Sequence, residues 1–428
     1  RMHGESGLKR EEIPKFWHEV FQSIKQKRPE LRVDIRAKGL PDAVIDDGLA
    51  QGIRLRVATK YWMEQMGLPF HPTHVNPPNQ RDRRHGYADL LTYPQRYRIH
   101  WRLWNGGTTR VLLWGDPDYA RRFAESAHVY GGNSFEAKEP LATKMLARPH
   151  DERPFDLLNA DYRYYDYEFE RYWHFYQVFG RLGYNPDTPV DTWQTEFNRR
   201  FGDMAGPCIM RGLHLASQVL PRIVAASYRY RYFPTTRGWA EKMRIDELPV
   251  YATAEGSDVQ QFASVKEEAS LVLEAKETAK RRPADTSQWF RQTADSILAQ
   301  VAKAEASTGE SPSKEFCSTV TDLKILAYLA LYHSQRIPAA VHYRIFQDTN
   351  DRWSLDRAIL HEKQATDAWQ MIVESAGDVY TSNLAMGIEH GGLAGHWKDE
   401  LTLLRTGIEE LEKERAEFRP DLRNDGIQ

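Results

Sequence analysis

Acidic side chains stand at Glu5, Asp34, Asp116, Glu136 and Glu139, each at or near the end of a segment patterned as a β-strand. Carboxyl groups gathered at one rim of a sheet can do paired acid–base work. Hydrolysis of a glycosidic bond needs two of them flanking the scissile bond, one protonated and one ionised, and their separation sets the stereochemical outcome. Asp116 has a competing explanation, because an aspartate directly before Pro117 is a strong helix N-cap. Glu5 lies between His3-Gly4 and Ser6-Gly7, where the sequence offers no such alternative, and it is the first candidate for a proton donor.

The same rim carries Arg36, Lys38, Lys60, Arg102 and Arg110. These cations either pair with the acids just named or bind a carboxylate-bearing ligand by charge-assisted hydrogen bonds. Tyr61, Trp62, Trp101, Trp104 and Trp114 supply ring faces near these strand ends, with Asn105 beside Trp104. Trp101 and Trp104 are an odd number of residues apart, so strand alternation sends them to opposite faces. His71, His74 and His85 fall in a long Pro-, Asn- and Arg-rich loop, and their spacing matches no zinc site. Cys208 and Cys317 read as two free thiols.

The elements that must position these residues follow from periodicity. Glu11–Lys27 repeats apolar residues at helical spacing, with Pro14 in its first turn. Leu31–Lys38 alternates as a strand, Pro41 opens a short helix closed by Gly52, and Ile53–Tyr61 alternates again. Tyr97–Trp104 and Asn133–Glu139 are the next strands, with a helix over Tyr119–Val129 between them. Strand ends near Glu5, Lys38, Tyr61, Asn105 and Glu139 make five, with polar residues after each strand, as in barrels whose chemistry lies at the C-terminal rim. No glycine-rich phosphate turn follows any strand, which weakens a doubly wound sheet. Eight strands close a barrel, so about three more are expected ahead of Arg1. From Phe155 onward helical periodicity takes over: Tyr167–Leu182, Val190–Phe201, Gly212–Tyr228, Val259–Arg281, Ser287–Ala306, Ser313–Tyr332, Trp353–Ser375 and His396–Phe418. Gly391–Trp397 reads as a tight turn into the last of these, and Glu409–Glu417 as a solvated charged face.

Composition narrows the function classes. The chain has 428 residues, 58 Lys plus Arg against 60 Asp plus Glu, and 12% aromatic content. Near-neutral charge argues against nucleic acid as a partner, and no apolar run reaches the length of a membrane span. The opening residues carry no signal peptide, which leaves location undecided, periplasm and exterior included. Twelve Trp and 21 Tyr suit a large core and also the stacking of sugar faces.

Two stretches carry a resemblance. Tyr172-Trp173-His174-Phe175-Tyr176, then Phe179–Pro189, Trp193–Phe197 and Arg200-Phe201-Gly202 resemble the segment after the barrel in α-glucuronidase-like glycoside hydrolases. Leu103-Trp104-Asn105 and Leu113-Trp114-Gly115-Asp116-Pro117 resemble strand-end motifs of such barrels. The resemblance implies the C-terminal part of a (β/α)8 TIM-type barrel in residues 1–150 followed by a large all-helical domain in 151–428. It also implies a general-acid glutamate after the fourth strand, the place Glu5 would hold. Lys60 stands where an acid is expected, so the second carboxylate is left among Glu139, Glu136 and Asp34. The expected activity is hydrolysis of a uronic-acid-containing or otherwise anionic glycan. Arg36, Lys38, Lys60, Tyr61, Arg102, Trp104, Asn105, Trp114 and Glu136 would line the substrate site. No cofactor or metal is expected, and a homo-oligomer is left open. The alternatives are a non-catalytic carbohydrate-binding relative and a structural helical module.

Overall fold

A computed structural model of the chain describes residues 7–62, 66–70, 96–103, 111–140, 156–227, 240–242, 244–384 and 395–419. The predicted strand end at Glu5, the residues Trp104, Asn105 and Arg110, the loop histidines 71, 74 and 85, and the turn residues 391–394 lie outside these.

Helix α1 (Glu12–Lys27) buries Ile13, Trp17 and Phe21, the stripe its periodicity predicts. Strand β1 (Arg32–Arg36) follows, then α2 (Asp42–Ala50) and β2 (Arg54–Tyr61). Strand β3 (Arg98–Leu103), α3 (Pro117–Ser126) and β4 (Gly132–Ala137) complete the α/β part. All three strand pairings are parallel, in the order β1-β2-β3-β4. Each strand lies beside its predecessor with no reversal of order. A doubly wound sheet reverses at its switch point, whereas an arc of a barrel advances one way, as here. The expectation of a parallel α/β part followed by a large helical part holds.

Odd-numbered strand residues face the helices. Ile35, Leu55, Val57 and Tyr97 pack with α1 and α2, while Tyr61, Ile99, Trp101 and Leu103 join a much larger core that runs on to Leu411. The hydrophobic effect therefore ties β2 and β3 to the helical part more tightly than to α1. Helix α5 (Trp173–Tyr184), preceded by the single turn α4 (Glu168–Arg171), makes that join, with Phe179 stacked 5.4 Å from Trp114.

The remaining helices are α6 (Asp191–Ala216), α7 (Val219–Ser227), α8 (Leu248–Tyr251), α9 (Val265–Leu273), α10 (Pro283–Ala306), α11 (Lys314–Thr349), α12 (Arg352–Ala376) and α13 (Trp397–Glu417). Three differ from the sequence reading for identifiable reasons. Helix α6 runs on past Phe201 across a kink at Gly202, whose φ of 84° is open to glycine. The predicted helix Val259–Arg281 shrinks to α9, because Glu274–Lys280 carries charge all round and offers no apolar stripe. Helix α11 passes Tyr332 and continues through Pro338. Pro338 cannot donate to the Ser334 carbonyl, and the Ser287 hydroxyl on α10 donates to it instead, at 2.6 Å.

Candidate functional site

Even-numbered strand residues share the opposite face of the sheet, and the parallel register sorts them into tiers. Arg32 lies beside Arg54, and above them Asp34, Arg56 and Arg98 align. The next tier holds Arg36, Ala58, His100 and Ser134, and the top one Lys60, Arg102 and Glu136. Arginine or lysine fills seven of these positions and a carboxylate only two. A low-dielectric surface lined by one sign of charge concentrates ligands of the other sign.

A hydrogen-bonded chain crosses this face. Arg56 forks onto both oxygens of Asp34 and donates a third bond to the Ser134 hydroxyl. His100 Nδ1 shares that hydroxyl at 2.9 Å, and its Nε2 lies 3.6 Å from Glu136. Arg102 Nε donates to the other oxygen of Glu136. The close approach of His100, with the hydrogen bond and charge of Arg102, holds the Glu136 carboxyl at about 2 against the opposing effect of partial burial. Glu136 is thus a fixed anion at neutral pH, unable to donate a proton.

Of the residues expected at the site, the structure brings Asp34, Arg36, Lys60, Arg102 and Glu136 to this face, and Lys38 follows β1 past its end. Three others are placed elsewhere, and Asp34 stands apart from Glu136 on the face itself. Tyr61 and Trp114 are buried on the helix side; Trp114 donates its indole N–H to the Ser217 carbonyl, so neither ring presents a face to a sugar. Glu139 is exposed beyond β4, outside the tiered group, where its charge adds to burial in raising the Tyr176 phenol on α5. Asp34 is locked to Arg56 two tiers below Glu136. That offset is four residues of strand, roughly 13 Å at a rise of about 3.3 Å each. Carboxyls that share one glycosidic bond sit roughly 5 to 9.5 Å apart. Asp34 and Glu136 do not form such a pair.

Asp116 caps α3 as predicted, accepting from the Asp118 N–H at 3.0 Å. Burial raises its carboxyl from 3.8 to about 7. A folded-state value above the unfolded one favours folding below pH 3.8, and that contribution is lost as pH rises to about 7. Asp116→Asn keeps a good cap and should flatten this part of the pH–stability profile, measured by urea unfolding between pH 4 and 8; an unchanged slope would rule out Asp116 as its source.

Residues Val111–Gly115 form no strand. They are held by side chains of the helical part, in bonds that sequence reasoning could not anticipate. Both Glu241 carboxylate oxygens accept from the Val111 N–H at 3.0 Å, and one also from Leu112 at 2.8 Å. Asp322 accepts from the Leu113 N–H at 2.8 Å, and the Ser217 hydroxyl from Gly115 at 2.9 Å. Gly115 is required here, since a Cβ would lie 2.2 Å from the His174 ring. Sequence reasoning also missed Arg56, His100 and Ser134, although strand parity alone places them on the polar face.

Among the described residues no group of three or more His, Cys, Asp or Glu side chains could hold a metal ion, and no helix is long and apolar enough to cross a membrane. A scan against models of protein families finds no match, and neither does a search among curated proteins. Among solved structures the chain is similar to one described as a "GH138 enzyme targeting pectin rhamnogalacturonan II". The TM-score is 0.74 at 15% identity, over 96% of this chain and 61% of that one. At this identity the likeness is one of fold, and the chain spans about 61% of its neighbour's length.

Proposed function

We propose that the chain acts in glycoside hydrolysis on a uronic-acid-containing or otherwise anionic polysaccharide. In this reading residues 1–150 supply an arc of a (β/α)8 barrel and residues 151–428 the helical domain that buttresses it. The observation that carries it is the sheet face with seven cationic side chains and two carboxylates. Arginine and lysine bind uronate carboxylates by charge-assisted hydrogen bonds. The fold neighbour described as targeting pectin rhamnogalacturonan II supports the substrate class. The α-glucuronidase-like subtype rests on the sequence resemblance alone. Glu5 is the proposed acid, since Glu136 is held ionised. The test is reducing-end release from uronate-bearing oligosaccharides beside neutral ones; no binding and no turnover of the charged set would overturn the proposal.

Binding without turnover would favour a second reading, a carbohydrate-binding relative. One observation speaks for it: both carboxylates on the face, Asp34 and Glu136, are engaged by arginines and stand two tiers apart.

Arg102 gives the face a specific test. Arg102→Ala removes a cation and leaves the Glu136 charge less compensated, so an anionic glycan loses an attraction and gains a repulsion. A charge-assisted hydrogen bond contributes about 1.5–3 kcal/mol, so affinity for a uronate oligosaccharide should fall roughly 10- to 100-fold by calorimetry. Unchanged affinity would remove Arg102 from the binding surface.

A further inference from the structure

We propose a second carbohydrate site, an open cleft in the helical part that binds a neutral, hydroxyl-rich stretch of glycan. The cleft encloses about 740 Å³, within the range of small-ligand sites. Its walls come from the segment leading into α4, where Arg163, Tyr164 and Tyr165 line it, and from Arg200 of α6 and Glu315 of α11. None of these residues belongs to the strands that build the cationic sheet face.

Charge decides the class of ligand. Asp166, Glu170 and Glu315 set three carboxylates on the cleft against two guanidiniums. Both arginines are already engaged. Arg163 pairs with Asp156 and donates to the Tyr165 and Asp166 carbonyls. Arg200 pairs with Glu196 and Glu315 and lies 4.5 Å over the Trp173 ring. An anion would meet acid with no cation to spare, whereas sugar hydroxyls donate to carboxylates. Glu170 already accepts the Asp166 and Tyr167 N–H groups and Glu315 the Arg200 guanidinium, so the exposed Asp166 is the acceptor the cleft offers. Tyr164 is half-buried and gives the cleft part of its ring, a surface of the kind that packs on apolar sugar faces, while Tyr165 is buried beneath it in the core. Tyr167, next in the chain to Asp166, is exposed and stacks on the exposed Phe169 ring at 5.8 Å.

The role assigned here rests on the reading that the protein acts on a glycan. A polysaccharide held in the cleft would present its charged portions to the sheet face at raised effective concentration. The two surfaces differ in sign, so one experiment separates them. Binding of neutral hexasaccharides of glucose, galactose, arabinose and rhamnose is compared with that of a uronate oligosaccharide by titration calorimetry. The wild-type chain should bind at least one neutral probe. Ala160→Trp, at an exposed lining position, should fill the cleft and weaken that probe by at least about tenfold. Asp166→Ala, an exposed change that leaves the fold intact, should weaken it several-fold, and neither variant should change uronate affinity. Failure of every neutral probe, or equal affinity in both variants, overturns the second site. Loss of uronate binding alone would overturn the proposed function and leave the cleft standing.

Discussion

Glu5→Gln should leave affinity for a uronate-bearing glycan near its wild-type value and lower turnover by roughly two to four orders of magnitude. Glutamine keeps the shape and hydrogen bonding of the glutamate and removes only the transferable proton. The two carboxyls on the described part of the sheet face offer no substitute acid. Glu136 is held ionised, at about 2, by His100 and Arg102, and Asp34 is forked by Arg56 on a lower tier. The loss should therefore depend on the leaving group. An activated aryl glycoside, which departs with little protonation, should lose far less than a natural glycan. A glutamate that served only as an ion-pair partner would cost stability and affinity without that dependence. Single-turnover rates for the two substrates with both proteins make the comparison, and equal losses would remove Glu5 from the acid role.

An element was legible in the sequence to the extent that the interactions governing it were local. Strands β1 to β4 were legible because alternation is a property of neighbouring residues, and the Asp116 cap because it reaches only to Asp118. Helix α11 was truncated in the reading because the Ser334 carbonyl that Pro338 leaves free is met by Ser287, 47 residues from Ser334. At the site, parity was enough to gather Arg36, Lys60, Arg102 and Glu136 on one face, yet the sequence attached significance to strand ends and overlooked Arg56, His100 and Ser134 inside the strands. Trp114 misled for a different reason. A tryptophan after a strand can stack on a sugar or on a neighbouring helix, and only the arrival of Phe179 and the Ser217 carbonyl decides which. The clamp on Val111–Gly115 was invisible because its donors and acceptors lie 102 to 209 residues apart.

That clamp supports the largest stability effect expected of any single substitution here. Asp322→Ala should lower the free energy of unfolding by about 3–5 kcal/mol, a large share of the roughly 5–15 kcal/mol typical of a folded domain. Asp322 and Arg171 are fully buried and meet at 2.7 Å. Burial pushes the Asp322 carboxyl up, and Arg171, the Tyr380 hydroxyl and the Leu113 N–H oppose that shift. Removing the carboxylate strands the Arg171 guanidinium without its counter-charge and leaves the Leu113 N–H unpaired in the core. Both are costly, because neither group has water to turn to. The exposed pair Arg163–Asp156, at 3.0 Å, is the natural control; Asp156→Ala should cost under about 1 kcal/mol. A double replacement, Arg171→Met with Asp322→Leu, separates the penalty of an orphaned charge from the contribution of the pair itself. It removes both charges together and should recover the part of the loss due to the orphaned guanidinium, since apolar residues of similar volume often replace a buried ion pair with little penalty, while the Leu113 N–H stays unpaired. Urea unfolding followed by tryptophan fluorescence reads all four proteins. A single-variant cost no larger than that of Asp156→Ala would show that Val111–Gly115 is held by packing around Trp114, with the buried carboxylate contributing little.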